Sequence, residues 1–314
     1  MPSLPVLNRD AVLAAVSPRA AIDAVREAFV RHRRGEWVMP AKVYLESPPH
    51  GDFRAMPARG GELAILKWIS SFPSNPARGL PTVIGLLVVS DATTSEPVAL
   101  MDAGSVTALR TGAVAAVAAD ALAAGRSVGI VGSGLHGAWA ARCLAAAGYG
   151  PGVCFDPDAG RAAALAEELG WSAGSHGDAL AQDVVCCVTP GHEAVVEVGD
   201  LHAGLHLNML GADGPGKAEA TIGAVASCAL FCDEWAQASH GGELTGAVEA
   251  GVVAREQVTD LGAVLTGEAP GRAGPEAVTL FDSTGLAIQD LAVAAAALDA
   301  YRRGAVEAQH VDLP

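Results

Sequence analysis

Residues 127–156 constrain this chain more than any other stretch. A short apolar run ends at Val131, and glycines follow at Gly132, Gly134 and Gly137. An Ala-rich helical stretch continues to Ala147, and a second apolar run, Val153 to Phe155, ends at Asp156. The order is strand, tight turn, helix and strand within about thirty residues, with an acid where the second strand stops. Gly132 permits the turn, Gly134 lets the backbone approach a pyrophosphate, and Gly137 lets the helix pack closely on the strand. The first turn of the helix offers unpaired N–H groups and a partial positive charge to phosphates. Asp156 stands where it accepts hydrogen bonds from a ribose diol. A glycine triplet alone marks nothing beyond a turn. Flanked by strand, helix, strand and acid, it predicts a dinucleotide site.

At 314 residues the chain is long enough for two domains with separate cores. Half of it is apolar, as in a folded globular protein. The formal net charge of −15 argues against nucleic acid or an anionic membrane surface as partner, and it makes Lys and Arg scarce. The six cysteines lie in apolar runs without a C-x-x-C pair. They read as buried free thiols in a reducing, cytoplasmic setting. No basic region followed by a long apolar stretch opens the chain, so no signal peptide is expected. The longest Ala-rich run, Ala113 to Ala124, is broken by Asp120 and reads as too short to span a bilayer. No His/Cys/Asp cluster has metal-ligand spacing, so no metal is expected.

Residues 8–34 read as two helices, the second capped by Ser17 with Pro18 at its first position. Ala21, Ile22, Val25 and Phe29 share one face of it. From Val38 to Met101 short β-like runs alternate with turns: Lys42–Glu46, Asp52–Met56, Leu63–Phe72, Val83–Val89 and Pro97–Met101. They predict a mixed or antiparallel sheet. A helix from Ser105 to Leu122 then leads into the glycine motif and is read as the bridge between domains. Beyond Asp156, a helix (Ala159–Leu169) and strands (Asp183–Val188, Leu205–Leu210, Ala229–Cys232) alternate. That pattern predicts a Rossmann-type doubly wound parallel sheet covered on both faces. In such sheets ligands gather at the carboxyl ends of the strands, where Thr189 and Asp213 fall. Asp213 sits between glycines; taken alone it reads equally as a turn residue or as the cap of a helix after Lys217. Near the end, Phe281-Asp282-Ser283-Thr284-Gly285 opens an Ala/Leu-rich helix running to Arg303. Ser283 or Thr284 is expected to cap it, which makes the capped end a further contact for a phosphate or carboxylate. This helix is expected to return to the first domain.

Cations embedded in apolar sequence are the second informative feature. Lys42, Arg54, Lys67 and Arg110 each sit in such surroundings, and Lys67 interrupts an apolar strand between Leu66 and Trp68. Each alone reads as a strand-edge charge or a snorkelling side chain. Together, in so acidic a chain, they point to an anion-binding floor for a substrate carboxylate. Arg110, near the start of the bridging helix, is placed to reach both substrate and cofactor.

The chain resembles the ornithine cyclodeaminase/μ-crystallin family over nearly its whole length. The resemblance rests on Lys42-Val43-Tyr44-Leu45, Gly51-Asp52-Phe53-Arg54-Ala55-Met56-Pro57, Lys67-Trp68, Gly79-Leu80-Pro81-Thr82, Thr107-Ala108-Leu109-Arg110-Thr111-Gly112, the glycine motif, Gly211-Ala212-Asp213 with Lys217, and Ser283-Thr284-Gly285. The first half is most similar to the archaeal-type alanine dehydrogenase branch. Lys42 stands where the cyclodeaminases usually carry arginine, and Gly-Ala-Asp-Gly-Pro-Gly-Lys departs from the cyclodeaminase pattern Gly-Gly-Asp-Cys-Pro-Gly-Lys.

The resemblance implies a homodimer with a Rossmann domain (115–284) inserted in an α+β substrate-binding and dimerisation domain (1–114 with 285–314). It implies that Lys42, Lys67 and Arg110, with Arg54 and Thr284 nearby, hold the substrate, and that Asp213, helped by Lys42, is the acid/base. Thr82, Arg110, Gly132, Gly134, Leu135, His136, Gly137, Asp156, Thr189, Lys217 and Ser283 would line the cofactor. That cofactor is NAD, with NADP the alternative, since Asp156 repels a 2′-phosphate. The implied activity is NAD(P)-dependent oxidoreduction at the Cα–N bond of a small amino acid or its imine. Ornithine cyclodeamination and a non-catalytic, cofactor-binding μ-crystallin-like role are the alternatives.

Overall fold

The computed structural model describes residues 3–312 apart from 192 and 215. Its strands are β1 (Leu4–Leu7), β2 (Val43–Ser47), β3 (Gly51–Gly60), β4 (Leu63–Ser71), β5 (Val83–Asp91), β6 (Pro97–Asp102), β7 (Val128–Val131), β8 (Gly152–Phe155), β9 (Ser172–Ala173), β10 (Val184–Cys187), β11 (His206–Met209), β12 (Ala229–Cys232), β13 (Val258–Asp260), β14 (Thr279–Asp282) and β15 (Gln309–Val311). The helices are α1 (Arg9–Ala15), α2 (Pro18–Arg33), α3 (Ala103–Leu122), α4 (Leu135–Ala146), α5 (Ala159–Leu169), α6 (His176–Leu180), α7 (Ile222–Ala226), α8 (Trp235–Gly241), α9 (Thr245–Glu249), α10 (Leu261–Leu265) and α11 (Ala287–Arg302). The chain forms two compact units, one of residues up to Arg110 and from Leu286 on, the other Thr111–Gly285.

The first unit is built on a mixed sheet of order β15-β1-β6-β5-β4-β3-β2 among the described residues. Strands β2 to β6 are antiparallel neighbours, whereas β1 lies parallel to β6 and antiparallel to β15. The sequence reading did not resolve β1 or β15, which are short strands at the two ends of the chain. Helix α2 starts as expected, with the Ser17 side chain accepting from Ala20 N–H and Pro18 in first position. Its apolar stripe of Ala21, Ile22, Val25 and Phe29 is buried. Helix α11 packs against α2 and against β3 and β4.

Alternation along β4 buries Ile65, Lys67 and Ile69 and turns Leu66 and Trp68 outward. Register places Val43, Ala55, Trp68 and Leu86 in one row across β2 to β5, with Leu45, Phe53 and Ile84 beside it. Much of this outer face is apolar yet exposed, Val43 at 61 % and Leu86 at 57 %. Phe53 stacks on Trp68 with ring centroids 5.4 Å apart.

The second unit holds a wholly parallel sheet of order β13-β12-β14-β11-β10-β7-β8-β9. Strand order reverses between β7 and β10, which makes the end of β7 a topological switch point, the position where such sheets bind ligands. The glycine turn follows β7 directly.

Three expectations are corrected. The segment before the last helix contains a strand, β14, buried between β11 and β12. Four apolar-rich residues do not by themselves separate a strand from the lead-in of a helix. Helix α11 therefore starts at Ala287 with Leu286 at its N-cap, so neither Ser283 nor Thr284 caps it. The Gln289 side chain accepts from Leu286 N–H instead. Asp213 does not cap a helix either, because Thr221 caps α7. The whole of α3, unlike the shorter Ala-rich run that overlaps it, is long and apolar enough to cross a membrane. With 83 % of its apolar window buried, it is a core helix.

Candidate active site

In the mixed-sheet unit, Lys67 lies at the middle of β4 opposite Met56 and Leu87 and is 1 % exposed. An ammonium there needs a counter-ion. Helix α11 supplies it: Asp290, fully buried, places Oδ2 2.7 Å from Lys67 Nζ. Thr107 Oγ1, on α3, is 3.3 Å from the same nitrogen. One turn further along α3, Arg110 sets Nε 3.6 Å from Asp290 Oδ1, within reach for Coulombic attraction and too far for a hydrogen bond. Arg110 Nε is buried without a hydrogen-bond partner. Burial pushes the Lys67 ammonium down to about 8. Asp290 opposes that fall, and the charges of Arg110 and Arg54 add to it.

The expected cation floor is thus partly neutralised from within. Lys67, Arg110 and Asp290 sum to one positive charge, with an unspent guanidinium N–H. Asp290 was not singled out from sequence, although an acid in the first turn of an Ala/Leu-rich helix is the available signal. Arg54 is buried on β3 and is held to Asp52 by Nε–Oδ1 at 2.6 Å and Nη2–Oδ2 at 3.3 Å. It also lies over the Tyr44 ring at 5.4 Å. Lys42, half-buried, precedes β2, and Thr82, also half-buried, precedes β5.

In the parallel-sheet unit the three glycines differ in their surroundings. Gly132 has φ +99°, and a Cβ there would lie 2.6 Å from Val188 O. A Cβ at Gly137 would meet Gly132 O at 1.8 Å, so the helix could not pack on the turn. A Cβ at Gly134 meets nothing within 4 Å, which leaves that backbone open to close approach. Helix α4 begins there with no side chain capping its first N–H groups. Leu135, exposed, and His136, half-buried, form its first turn. Asp156 follows β8 and accepts from Ser133 N–H and Asp158 N–H, both at 2.9 Å. These bonds fix the carboxylate beside the glycine turn and leave lone pairs for a ribose. Thr189 follows β10, and its Oγ1 accepts from Gly191 N–H. Ser283 follows β14, and its Oγ is buried without a hydrogen-bond partner. An uncapped helix end, an open glycine and an orphaned hydroxyl fit a dinucleotide. Thr284, by contrast, is buried and donates its hydroxyl proton to Asp233 Oδ1 at 2.9 Å, which commits that donor inside the unit.

Asp213 lies in the loop after β11, where Lys217 Nζ meets its Oδ1 at 2.7 Å. Both side chains are partly exposed. Pro215 of this motif lies outside the described residues. Behind the loop stands a group of buried acids that sequence reasoning missed: Glu219, Glu243, Asp233 and Asp282. Glu219 accepts from Thr189 N–H at 2.6 Å and Gly211 N–H at 2.7 Å. Glu243 accepts from Glu219 N–H and Ala220 N–H. Asp282 accepts from Leu244 N–H, and Asp233 from Gly285 N–H. Burial pushes the Glu219 carboxyl up to about 7 and the Glu243 carboxyl up to about 8, with the neighbouring Glu219 adding to the second. Nothing local in the sequence marks these acids as buried. Among the described residues no cluster of His, Cys, Asp or Glu is placed to hold a metal.

The profile of the ornithine cyclodeaminase/mu-crystallin family matches residues 5–304. The chain is 39 % identical over 298 residues to the alanine dehydrogenase of Archaeoglobus fulgidus, covering 92 % of each. A solved archaeal alanine dehydrogenase dimer with bound NAD superposes with a TM-score of 0.94 at 36 % identity, over 99 % of this chain and 100 % of that one. The iminosuccinate reductase of Paracoccus denitrificans in complex with NAD+ gives 0.89 at 28 % identity, over 99 % and 100 %. With its glycine turn at a switch point, its mixed sheet holding buried cations and its full-length match, this chain belongs to the ornithine cyclodeaminase/mu-crystallin family.

Proposed function

We propose that the chain is an NAD-dependent oxidoreductase acting on the Cα–N bond of a small L-amino acid or its imine. The observation that carries this reading is the Lys67–Arg110–Asp290 cluster. It is a buried site of net positive charge with a guanidinium N–H to spare, as a carboxylate-bearing substrate requires. Likeness to an alanine dehydrogenase and an iminosuccinate reductase supports the reaction class.

Bound at the glycine turn, NAD supplies the hydride acceptor, and NADH the donor. The Gly132–Gly137 turn and the α4 N-terminus hold the pyrophosphate, and Asp156 takes the ribose diol and disfavours a 2′-phosphate. Arg110 binds the substrate carboxylate directly, with Lys67 adding positive charge beneath it and Asp290 fixing both. Arg54 and Lys42 complete the polar lining. Asp213 removes the proton from the substrate ammonium in the oxidative direction and returns one to nitrogen in the reductive direction, with Lys217 orienting it. Water attack on the imine then gives a 2-keto acid and ammonia. The reverse sequence is imine reduction.

We further infer a homodimer formed through the outer face of β2 to β5, because Val43, Leu45, Trp68, Ile84 and Leu86 are exposed side by side there, and contiguous exposed apolar side chains mark an interface. The solved archaeal relative is likewise a dimer. Charging that face with Leu86→Lys is expected to give a monomer in sedimentation analysis; an unchanged dimer would relocate the interface.

The test of the activity follows NADH absorbance while pyruvate and other 2-keto acids are offered with ammonia or methylamine, and ornithine is assayed for proline. Keto-acid-dependent NADH consumption is expected. Conversion of ornithine to proline with no net change in NADH would replace this reading with cyclodeamination.

A further inference from the structure

We propose that Glu219 is a positioning residue that latches two segments together, the one after β10 and the one after β11, and so fixes where Thr189 and Asp213 stand. The inference rests on the reading of Asp213 as the acid/base and Thr189 as a cofactor contact.

The geometry is that of a staple. One carboxyl group takes two backbone amides from two different strand ends, Thr189 N–H at 2.6 Å on Oε1 and Gly211 N–H at 2.7 Å on Oε2. Both distances lie at the short end of the range for N–H···O bonds. The side chain is wholly buried, so water cannot replace either bond. Gly211 is shaped around it: a Cβ there would lie 2.6 Å from Glu219 Cδ and 2.3 Å from Thr189 O. The glycine that opens the Gly211-Ala212-Asp213 run is thus explained by the acid lying against it. Glu219 is itself anchored, because Glu243 accepts from its own N–H and from Ala220 N–H. Its carbonyl also accepts from Val195 N–H and Val196 N–H. Asp213 lies two residues beyond the latched amide of Gly211, and Lys217 lies two before Glu219. The loop bearing the Asp213–Lys217 pair is therefore closed at both ends by this one residue.

The side chain touches no reacting atom, so it acts through the backbone it holds. In Glu219→Gln, one oxygen is replaced by an NH2 group that faces an amide N–H, and one of the two arms is lost. Gly211→Ala attacks the same latch while leaving the carboxylate in place.

The test combines hydrogen–deuterium exchange on the full chain with steady-state kinetics and NADH binding by fluorescence. In Glu219→Gln, peptides covering residues 187–191 and 210–214 are expected to exchange faster, with those from β7 and β14 unchanged. The kcat is expected to fall about a hundredfold, since an ångström of misplacement is enough for that. NADH should bind more weakly. The KM for the 2-keto acid should stay within about twofold of wild type, because the residues proposed to hold its carboxylate are untouched. Gly211→Ala should reproduce this pattern. Unchanged exchange in both peptides would overturn the latch. Faster exchange with wild-type kcat and NADH affinity would overturn its positioning role, as would a kcat loss that tracks loss of thermal stability across both variants. An Asp213→Asn control separates the two layers: full turnover there would remove Asp213 from the chemistry, while the exchange data would still judge the latch.

Discussion

The two units bury ionisable side chains in opposite ways. In the mixed-sheet unit a lysine and an arginine are answered by an aspartate on a helix far along the chain. In the parallel-sheet unit, Glu219, Glu243 and Asp282 are answered by backbone amides, with no cation paired to any of them among the described residues. A charge answered by a charge leaves a net sign that the site can use on a ligand. A buried carboxyl group answered by amides fixes loops and has no need of a partner elsewhere. The first arrangement suits substrate binding, and the second suits holding the turns at the strand ends where a nucleotide lies.

The contrast predicts unequal responses to mutation. The largest effect is expected at Lys67. Lys67→Met leaves Asp290 buried beside Arg110 alone and should cost about 3–5 kcal/mol of stability. Adding Asp290→Leu should recover most of that stability without recovering substrate turnover. Full recovery of activity in the double variant would show that the ion pair is structural only.

Titration should separate the two regions by sign. Lys67 falls to about 8 from 10.5, so between those values the unfolded chain binds more protons and stability from this group rises with pH. Glu219 and Glu243 rise from 4.5 to about 7 and about 8, so the native state binds more protons in that window. Their contribution is complete below the ordinary carboxyl value and is lost as pH rises through the higher ones. Urea unfolding across pH should show this fall, and Glu219→Gln with Glu243→Gln should flatten it. A fall that persists in the double variant would assign it elsewhere. The same Lys67 shift gives a KM for the keto acid that increases as pH passes about 8.

A smaller effect is expected at Asp156. Removing an ionised acceptor costs about 1.5–3 kcal/mol. Asp156→Ala should therefore raise the KM for NADH by about tenfold or more and that for NADPH far less. Equal changes would end its ribose role. The smallest effect belongs to an exposed pair. Arg142 and Glu168 form a bidentate fork at 2.6 and 2.7 Å on the surface. Glu168→Ala should change stability by less than about 1 kcal/mol.

How much of this was legible in the sequence follows the same divide. The glycine turn, its flanking strands and Asp156 form one contiguous stretch whose chemistry is local, and the fold places them as read. The oddity of Lys67 was visible because an ammonium inside an apolar run is costly wherever it falls. Its partner was not visible, since Asp290 meets it only through the packing of α11 on β4. Glu219 and Glu243 look like ordinary loop acids, and only the three-dimensional path of the loops buries them. Strand β14 was missed because its four residues carry no period, and Ser283 and Thr284 were consequently misread as a helix cap.

The most direct test of the proposed reaction is the fate of the hydride. NADH carrying deuterium at both C4 positions is incubated with the protein, ammonia and the 2-keto acid that supports turnover, and the product amino acid is examined by proton NMR and mass spectrometry. Deuterium bonded to the α-carbon of the product is the expected result. An amino acid formed with protium alone at that carbon would contradict it.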